Sequence, residues 1–366
     1  MKEKKLIIFI PSVEGGGVEK NFFLITNYLS QYLKDITVIT ADKSVKKRIN
    51  KKVTIIAPQS NFWANQKRLI KYLLCLYKLF LFTLQNKNIL VFSFQANAYA
   101  IILSKIFGIK IITRSNSSSE GWSKNIIKKF LYKIFLNLSD QVIVNSYALK
   151  KELDGKFKIK SYAIYNPLNK KNIKKKSKEK IKINFFKGNH LKLITIGRLV
   201  DQKDHLTILK SINLIKKHNI KLLIIGNGNK KKLLNQYIKE KKLSSKIKLI
   251  PFQKNPYKYL SLADIFILSS KFEGLPNVLL EAQCLKKYII STDCPTGPRE
   301  ILLDGKAGDL IPIGNFKKLS SRVKKFKKHN NNYKKKILLG YKNLNRFDHD
   351  YNMEKYHKII KKFIYI

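Results

Sequence analysis

The chain has 366 residues, which is enough for two domains that each bury a core. Its 75 Lys and Arg residues against 23 Asp and Glu residues give a formal net charge of +52, but a hydrophobic content of 44% excludes a disordered polycation. Three cysteines without C-x-x-C spacing disfavour a disulfide framework or a cysteine zinc site and suit a reducing compartment.

Lysine carries almost all of this charge, since only seven of the basic residues are Arg. Part of the charge therefore reflects compositional drift, and what remains is attraction to anions such as phosphorylated ligands, acidic membrane surfaces or nucleic acid. No signal peptide is predicted, because the apolar run 6–10 ends at Pro11. The apolar stretch 72–84 is shorter than the ~20 residues of a membrane span, so we expect a cytoplasmic protein.

Short β-rich runs alternate with helical patterns along the first half, which is typical of βαβ units and a parallel sheet covered on both faces. The clearest helix is 18–33, whose apolar residues recur with the 3.6-residue period. The predicted strands of this half are 6–10, 36–40, 53–57, 89–93, 110–113, 141–145 and 162–165.

A Lys-rich stretch with little periodicity, 169–189, predicts an interdomain linker. The alternation then restarts, so the sequence indicates two doubly wound α/β domains, 1–168 and 190–350, followed by an amphipathic tail, 351–366, that can pack as a last helix. The predicted elements of the second half are strands 191–196, 221–225, 247–250, 265–269, 288–291 and 310–313, and helices 204–218, 230–243 and 276–286.

A glycine triplet, Gly15–Gly17, lies between the first predicted strand and helix 18–33. Glycine lets the backbone approach an anion and the helix N-terminus adds a positive dipole, so the triplet is a candidate anion site. The third glycine of a dinucleotide fingerprint is replaced by Lys20, although Asp42 lies where an NAD-binding acid would, and no Walker A pattern occurs. A tight strand–helix turn is the alternative interpretation.

Arg198 and Lys203 follow the predicted strand 191–196 on one loop. Arg, with its planar guanidinium, and Lys, as a point charge, can both reach one diphosphate. Arg198 is the more informative of the two because arginine is rare in this chain. Solvated surface charge is the alternative interpretation.

The segment from Glu273 to Glu281 reads E-G-L-P-N-V-L-L-E and follows the hydrophobic strand 265–269. Pro276 suits the first helical position, and the first N–H groups of a helix stabilise an anion. Glu273, just outside the helix, can accept hydrogen bonds from hydroxyl groups, and Glu281 can do the same for a ribose. A favourable charge near a helix N-terminus would explain Glu273 alone but not the whole arrangement.

A loop with two prolines, 293–300, follows strand 288–291. Its Arg299 either contacts an anion or pairs with Glu300, and the sequence leaves both open. The six histidines form no H-x-x-H or H-E-x-x-H pattern, so no metal site is predicted.

Together these motifs resemble the retaining glycosyltransferases of family 4. The resemblance covers nearly the whole chain and rests on the glycine-rich loop, the G-R-L of 197–199 with Lys203, the I-G-N-G of 225–228 and the E-x7-E segment. It implies the GT-B fold, in which two Rossmann-like parallel-sheet domains face a cleft. The first domain would then bind the acceptor, the second would bind the nucleotide-sugar, and the tail helix would return to the first.

The resemblance also implies a role for each matching residue. Arg198 and Lys203 would bind the donor diphosphate, and Gly16 and Gly17 would contact it from across the cleft. The backbone of Gly274, Leu275 and Asn277 would hold the sugar and phosphate, and Glu273 would bind the sugar hydroxyls. Glu281 would bind the ribose, and the base would lie near Gly226 and Phe252. Family members generally need no metal, because the cations and the helix dipole neutralise the leaving group. We therefore expect no metal and no cofactor besides the nucleotide-sugar substrate.

One region departs from the family pattern. Many relatives place a His after the strand that corresponds to 110–113, whereas this chain has Arg114 and Asn116 there, which become the candidate contacts with the sugar or acceptor. Asn116 can form hydrogen bonds but cannot act as a general base at pH 7. The chemistry would then depend on stabilising the diphosphate charge, with the leaving phosphate taking the acceptor proton.

The segments 114–118 and 293–300 resemble the family members that build cell-surface polysaccharides and lipid-linked oligosaccharides. We therefore expect transfer of a sugar, such as an N-acetylhexosamine or a hexose, from a UDP-sugar to a glycan, including a polyprenyl-diphosphate-linked one. The basic and aromatic segment 67–84 could lie on anionic lipid at the inner membrane face; the alternative is an ordinary covered helix with snorkelling lysines.

Two other functions are weighed against this one. A GT-B sugar-nucleotide epimerase would need carboxylate or histidine bases facing the sugar, which the region 94–118 lacks. A basic nucleic-acid-binding protein would need a basic domain or a stacking platform, and the lysines are instead spread along the chain, so no nucleic-acid partner is expected.

Overall fold

The computed structural model describes residues 3–122, 125–181 and 183–365. The chain divides into two compact units. Unit 1 comprises Met1–Pro167 and His349–Ile366, and unit 2 comprises Leu168–Asp348. Each unit is built on one parallel β-sheet with helices on its faces.

Unit 1 has a seven-stranded sheet in the order β3-β2-β1-β4-β5-β6-β7. Its strands are β1 Lys5–Phe9, β2 Ile36–Ile39, β3 Thr54–Ile56, β4 Ile89–Ser93, β5 Lys110–Ser115, β6 Gln141–Val144 and β7 Ser161–Ala163. Its α-helices are α1 Gly17–Leu29, α2 Arg68–Gln85, α3 Asn97–Ile106, α4 Ile126–Asn137, α5 Tyr147–Lys151 and, from the end of the chain, α14 His349–Ile364.

The central strands of unit 1 are apolar on both faces because helices cover both. On one face, α1 and α14 bury side chains such as Phe22 and Tyr356 against the strands. On the other face, α2, α3 and α4 contribute Cys75, Ile101 and Leu136 to a second core. The returning C-terminal helix therefore completes one of the two cores of unit 1.

Unit 2 has a six-stranded sheet in the order β10-β9-β8-β11-β12-β13. Its strands are β8 Leu191–Ile196, β9 Ile220–Ile225, β10 Ile247–Ile250, β11 Ile265–Leu268, β12 Tyr288–Thr292 and β13 Asp309–Ile311. Its α-helices are α6 Lys170–Ser177, α7 His205–Leu214, α8 Lys231–Glu240, α9 Tyr257–Leu260, α10 Asn277–Cys284, α11 Gly297–Ile301, α12 Phe316–Lys325 and α13 Asn331–Lys342.

All the predicted strands are present, with ends within two residues of the predicted ones, so the predicted α/β class with two parallel sheets is confirmed. The prediction that residues 169–189 form an interdomain linker is wrong. These residues belong to unit 2 and contain α6. The Asn169 side chain caps this helix by accepting a hydrogen bond from the Asn172 N–H at 2.9 Å, and Ile173 is buried. One capping residue and one buried side chain thus order a Lys-rich segment.

Among the described residues, no helix combines the length and the apolar composition needed to cross a bilayer.

Candidate functional site

Two of the predicted site residues meet at the carboxyl ends of neighbouring strands in unit 2. Strands β8 and β11 pair directly, so the loops that follow them adjoin. The Lys203 ammonium donates to Glu273 Oε1 at 2.5 Å, and only 16% and 8% of the two side chains are exposed. The Ser270 hydroxyl donates to the same carboxylate oxygen at 2.6 Å. The result is a nearly buried, doubly hydrogen-bonded carboxylate beside a cation.

Hydrogen bonds between the two loops fix the position of this pair. The Ser269 hydroxyl donates to the Lys203 carbonyl at 2.7 Å, and the Gln202 amide donates to the Phe272 carbonyl at 2.9 Å. The backbone N–H of Lys271 donates to the Gln202 carbonyl at 2.8 Å. Lys203 and the preceding Gln202 are therefore both hydrogen-bonded to the loop after β11, which preorganises the Lys203 ammonium group.

The start of α10 lies directly after Glu273. The helix begins at Asn277, so Pro276, which was predicted as the first helical residue, instead precedes it with an extended ψ of 104°. Gly274 and Leu275 are buried in this turn. The eight-residue helix points its N-terminus toward the segment that carries Glu273, where its dipole favours an anion.

The proline-containing loop 293–300 supports this turn. The Thr296 hydroxyl lies 2.8 Å from the Glu273 carbonyl and 3.0 Å from the Gly274 carbonyl, and the Gly297 N–H donates to the Gly274 carbonyl at 2.7 Å. A Cβ atom on Gly297 would lie 2.1 Å from that carbonyl oxygen, so only glycine fits there. Thr296 and Ser270 therefore support the segment that carries Glu273.

Glu281 is buried within α10 and accepts a hydrogen bond from the Tyr257 hydroxyl at 3.2 Å. Tyr257 was not predicted as a site residue, because nothing local in the sequence connects α9 to α10. The proposed contact of Glu281 with a ribose stays a prediction.

Arg198, Gly226 and Phe252 lie at the ends of the neighbouring strands β8, β9 and β10. Arg198 is exposed and, within the described residues, forms no ion pair. A Cβ atom on Gly226 would lie 1.9 Å from the Gly197 carbonyl oxygen, so this glycine lets the β9 loop pack against the loop that carries Arg198. Phe252 is 54% exposed, and its N–H donates to the Asn227 side chain at 3.3 Å.

The glycine triplet of unit 1 lies beside two carboxylates that the sequence analysis missed. Gly16 precedes α1, and a Cβ atom on it would lie 2.7 Å from Glu19 Oε2. Glu14 accepts hydrogen bonds from the Ser12 hydroxyl and from Arg68, each at 2.8 Å. Burial raises the pKa of Glu14, but these hydrogen bonds and the charge of Arg68 outweigh it and lower the pKa. The diphosphate contacts of Gly16 and Gly17 stay predictions.

The prediction that Arg114 contacts the sugar or acceptor is wrong, because its side chain is fully buried. Its Nε donates to the Tyr356 hydroxyl at 2.8 Å, and its Nη atoms donate to the Asn116 and Asn166 side-chain oxygens. The Asn116 amide nitrogen also lies within hydrogen-bond distance of the Phe94 and Arg114 carbonyls. Arg114 and Asn116 thus belong to an internal network that holds α14. Asn116 is only half-buried, and its contact with the sugar or acceptor stays a prediction.

Two further predictions concern Arg299 and metal binding. Arg299 forms a two-point ion pair with Asp293 and a weaker one, at 3.6 Å, with Asp304. Its proposed contact with an anion stays a prediction. The described residues contain no group of three or more His, Cys, Asp or Glu side chains that could hold a metal ion.

The segment that contains this site is similar in sequence to a known family. Residues 176–342 match the family described as Glycosyl transferases group 1. The matched segment covers a little under half of the chain. The matched segment includes Lys203, Glu273 and Glu281, and it lies wholly within unit 2.

Curated relatives are also named as glycosyltransferases. The chain is 35% identical over 218 residues to an uncharacterized glycosyltransferase of Methanocaldococcus jannaschii, covering 55% of this chain and 53% of the relative. It is 30% identical, over 59% of this chain and 60% of the relative, to N-acetylgalactosamine-N,N'-diacetylbacillosaminyl-diphospho-undecaprenol 4-alpha-N-acetylgalactosaminyltransferase of Campylobacter jejuni. It thus spans between half and two thirds of these two relatives.

A longer match is the amylovoran biosynthesis glycosyltransferase AmsD of Erwinia amylovora, 27% identical over 82% of this chain and 84% of the relative. Among solved structures, Anabaena HepE in complex with UDP has a TM-score of 0.77 at 15% identity, covering 98% of this chain and all of that one. Sucrose-phosphate synthase from Thermosynechococcus elongatus has a TM-score of 0.79 at 13% identity, covering 98% and 99%. At these identities the structures show the fold, which with the two parallel sheets is consistent with GT-B.

Proposed function

We propose that the protein is a retaining glycosyltransferase that moves a sugar from a UDP-sugar to a hydroxyl of a glycan in cell-surface polysaccharide biosynthesis. The acceptor is a glycan carried on a polyprenyl diphosphate or another lipid at the inner face of the cytoplasmic membrane. The observation that carries the proposal is the Lys203–Glu273 pair, held beside the start of α10 in the segment that is similar to the group 1 family.

The pair has the chemistry that a sugar diphosphate requires. Arg198 and Lys203 would bind the diphosphate, together with the backbone of Gly274, Leu275 and Asn277 at the helix start. When the Lys203 ammonium pairs with the diphosphate in place of Glu273, the Glu273 carboxylate can accept hydrogen bonds from the sugar hydroxyls. The Ser270 hydroxyl keeps that carboxylate oriented. These positive groups supply the charge stabilisation, so we propose that the transfer needs no metal.

The reaction then balances without a base from the protein. The bond between the anomeric carbon and the diphosphate oxygen breaks, and the acceptor oxygen bonds to the same face of that carbon. The acceptor proton passes to the departing diphosphate, which leaves as UDP. Retention is the expected outcome because the attacking hydroxyl and the leaving group share one face, and preorganised charge on the leaving group contributes most of the rate.

Two comparisons support the donor and the acceptor in this proposal. Solved structures of HepE hold UDP, and UDP with glucose, in a chain of the same fold. The name of the C. jejuni relative describes transfer to a diphospho-undecaprenol-linked sugar. The proposal transfers both chemistries to this chain, with unit 2 binding the donor and unit 1 the acceptor.

The test is a transfer assay with the purified chain, a panel of UDP-sugars and polyprenyl-diphosphate-linked glycans, with and without EDTA. We expect one donor to be consumed only when an acceptor is present, with an unchanged anomeric configuration by NMR. Arg198→Ala, Lys203→Ala and Glu273→Ala should each lower kcat/KM by about 10²–10³. Lys217→Ala, an exposed lysine outside the site, is the matched control.

Wild-type turnover in Glu273→Ala would overturn the site. Conversion of the donor without an acceptor would instead indicate an epimerase.

A further inference from the structure

Helix α2 is apolar on its outward side as well as on the side that covers the sheet. A surface helix normally turns its apolar stripe to the core and its polar side to water. The side of α2 that is buried against the sheet carries Lys71 and Thr83 as well as Cys75 and Leu79. Its opposite side consists of large apolar residues that are 40–59% exposed, namely Leu69, Leu73, Tyr77, Leu81 and Leu84.

The two neighbouring helices continue this apolar surface. Helix α3 contacts both α2 and α4, and all three cover the same face of the unit 1 sheet. Large apolar residues are exposed on α3 and on and just beyond α4, namely Tyr99, Ile102, Ile106, Ile126, Ile127, Phe130, Leu131, Ile134 and Leu138. We call the exposed apolar residues of α2, α3 and α4, with Leu138, the outer helical face. Contiguous apolar surface on this scale marks an interaction site.

The charge around the outer helical face indicates what covers it. Between Asp42 and Asp140 the sequence contains a single carboxylate, Glu120, although the same stretch is rich in lysine. Lys67 is exposed just before the start of α2, and Lys128 is exposed on α4. A second copy of this chain would bring like charges together, whereas an anionic lipid surface is complementary to both the apolar and the cationic groups.

We infer that the outer helical face docks on an anionic lipid bilayer, with α4 contributing as much apolar contact as α2. The helices would lie in the headgroup region and bury their outward side chains, with the lysines on the lipid phosphates. The inferred docking rests on the proposed function only in that the acceptor is carried by a lipid. It names α3 and α4, which the sequence analysis did not connect with membrane contact.

The test is flotation of the full chain with phosphatidylcholine vesicles, with and without phosphatidylglycerol, at low and high NaCl. We expect binding only to the anionic vesicles, and weaker binding at high salt. The variants Leu69→Gln with Leu73→Gln on α2, and Ile127→Gln with Leu131→Gln on α4, should each lower the partition coefficient by about tenfold or more. The matched control is Leu214→Gln with Leu338→Gln, two exposed leucines of unit 2.

Circular dichroism and thermal unfolding establish that each variant is folded before its binding is compared. Wild-type partitioning of the α4 variant overturns the inference, and so does a concentration-dependent dimer that the same substitutions abolish. Glu273→Ala should bind the vesicles like wild type, so docking is measured independently of transfer. Failure of every donor in the transfer assay would refute the proposed function while leaving the docking result intact.

Discussion

His205 is a buried imidazole of unit 2 that the proposed mechanism does not use. It begins α7, is 4% exposed, and its Nδ1 has no hydrogen-bond partner among the described residues. Burial lowers the pKa of this imidazole to about 4, and the charge of Lys203 acts in the same direction. The folded protein therefore holds His205 neutral at pH 7.

This shift predicts an acid-sensitive contribution to stability. The unfolded chain has the ordinary histidine pKa of 6.5, so between about pH 6.5 and 4 the unfolded state binds a proton that the folded state does not. The contribution is fully present above pH 6.5 and is lost as the pH falls, by about 2 kcal/mol between pH 7 and pH 5. Urea unfolding of His205→Gln at both pH values should show that much less acid destabilisation than wild type.

The exposed His218 provides the control, because His218→Gln should keep the wild-type difference between the two pH values. An equal acid effect in His205→Gln and wild type would contradict the prediction, whatever the change in stability at pH 7.

At the scale of elements, α14 is held in unit 1 by a buried charge that has no carboxylate partner among the residues the structure describes. Arg114 is fully buried at the end of β5, and its described hydrogen bonds go to neutral oxygens of Tyr356, Asn116 and Asn166. Because a buried cation is costly when its hydrogen bonds are unmade, the Tyr356 hydroxyl contributes more than an ordinary hydrogen bond.

Tyr356→Phe should therefore destabilise unit 1 by about 1.5–3 kcal/mol, the range for hydrogen bonds to charged groups. Urea unfolding measures the change, and hydrogen exchange should show faster exchange in α14 and β5 while unit 2 is unaffected. Tyr351→Phe, on the same helix but 55% exposed, should change stability by less than about 0.5 kcal/mol. Equal stability of the two variants would show that Tyr356 does not hold the guanidinium.

The strands were predictable because their signal is local. Both faces of each sheet are covered, so most strands appear as short unbroken apolar runs between helical patterns. The outward side of α2 was not predictable in the same way, because a helix with two apolar sides does not reveal which side covers the sheet. Helix α6 was not predicted because its segment was judged by its high lysine content. The helix is stabilised by the Asn169 cap and by the buried Ile173, which a count of residue types does not reveal.

Some features of the candidate site could be predicted from the sequence and others could not. Lys203 and Glu273 could be singled out because each follows a strand, but their ion pair depends on the pairing of β8 with β11, which the sequence does not give. Arg114 was misinterpreted because its partner Tyr356 lies 242 positions away and reaches it only through the return of α14. Tyr257 on Glu281 is a shorter-range case of the same limit, since two helices must fold before the contact exists.

At the scale of the whole molecule, the charge is too one-sided to be neutralised by ion pairs. With 75 Lys and Arg residues and 23 Asp and Glu residues, most cations have no carboxylate to pair with. A net charge of +52 therefore acts mainly as repulsion between like charges, which destabilises the compact state. Salt screens such repulsion beyond a Debye length of about 10 Å at 0.1 M.

Thermal stability should accordingly rise with NaCl, whereas a protein held mainly by surface ion pairs would lose stability. For units of this size, each ~1 kcal/mol gained corresponds to about 2–4 °C in Tm. Calorimetry across a NaCl series measures the slope, with chloride preferred to phosphate because phosphate would bind any diphosphate site. Replacing the exposed Lys324, Lys325 and Lys327 together by Gln should raise Tm at low salt and reduce the slope. A Tm that falls with NaCl would mean that attractive pairs, few as the carboxylates are, outweigh the repulsion.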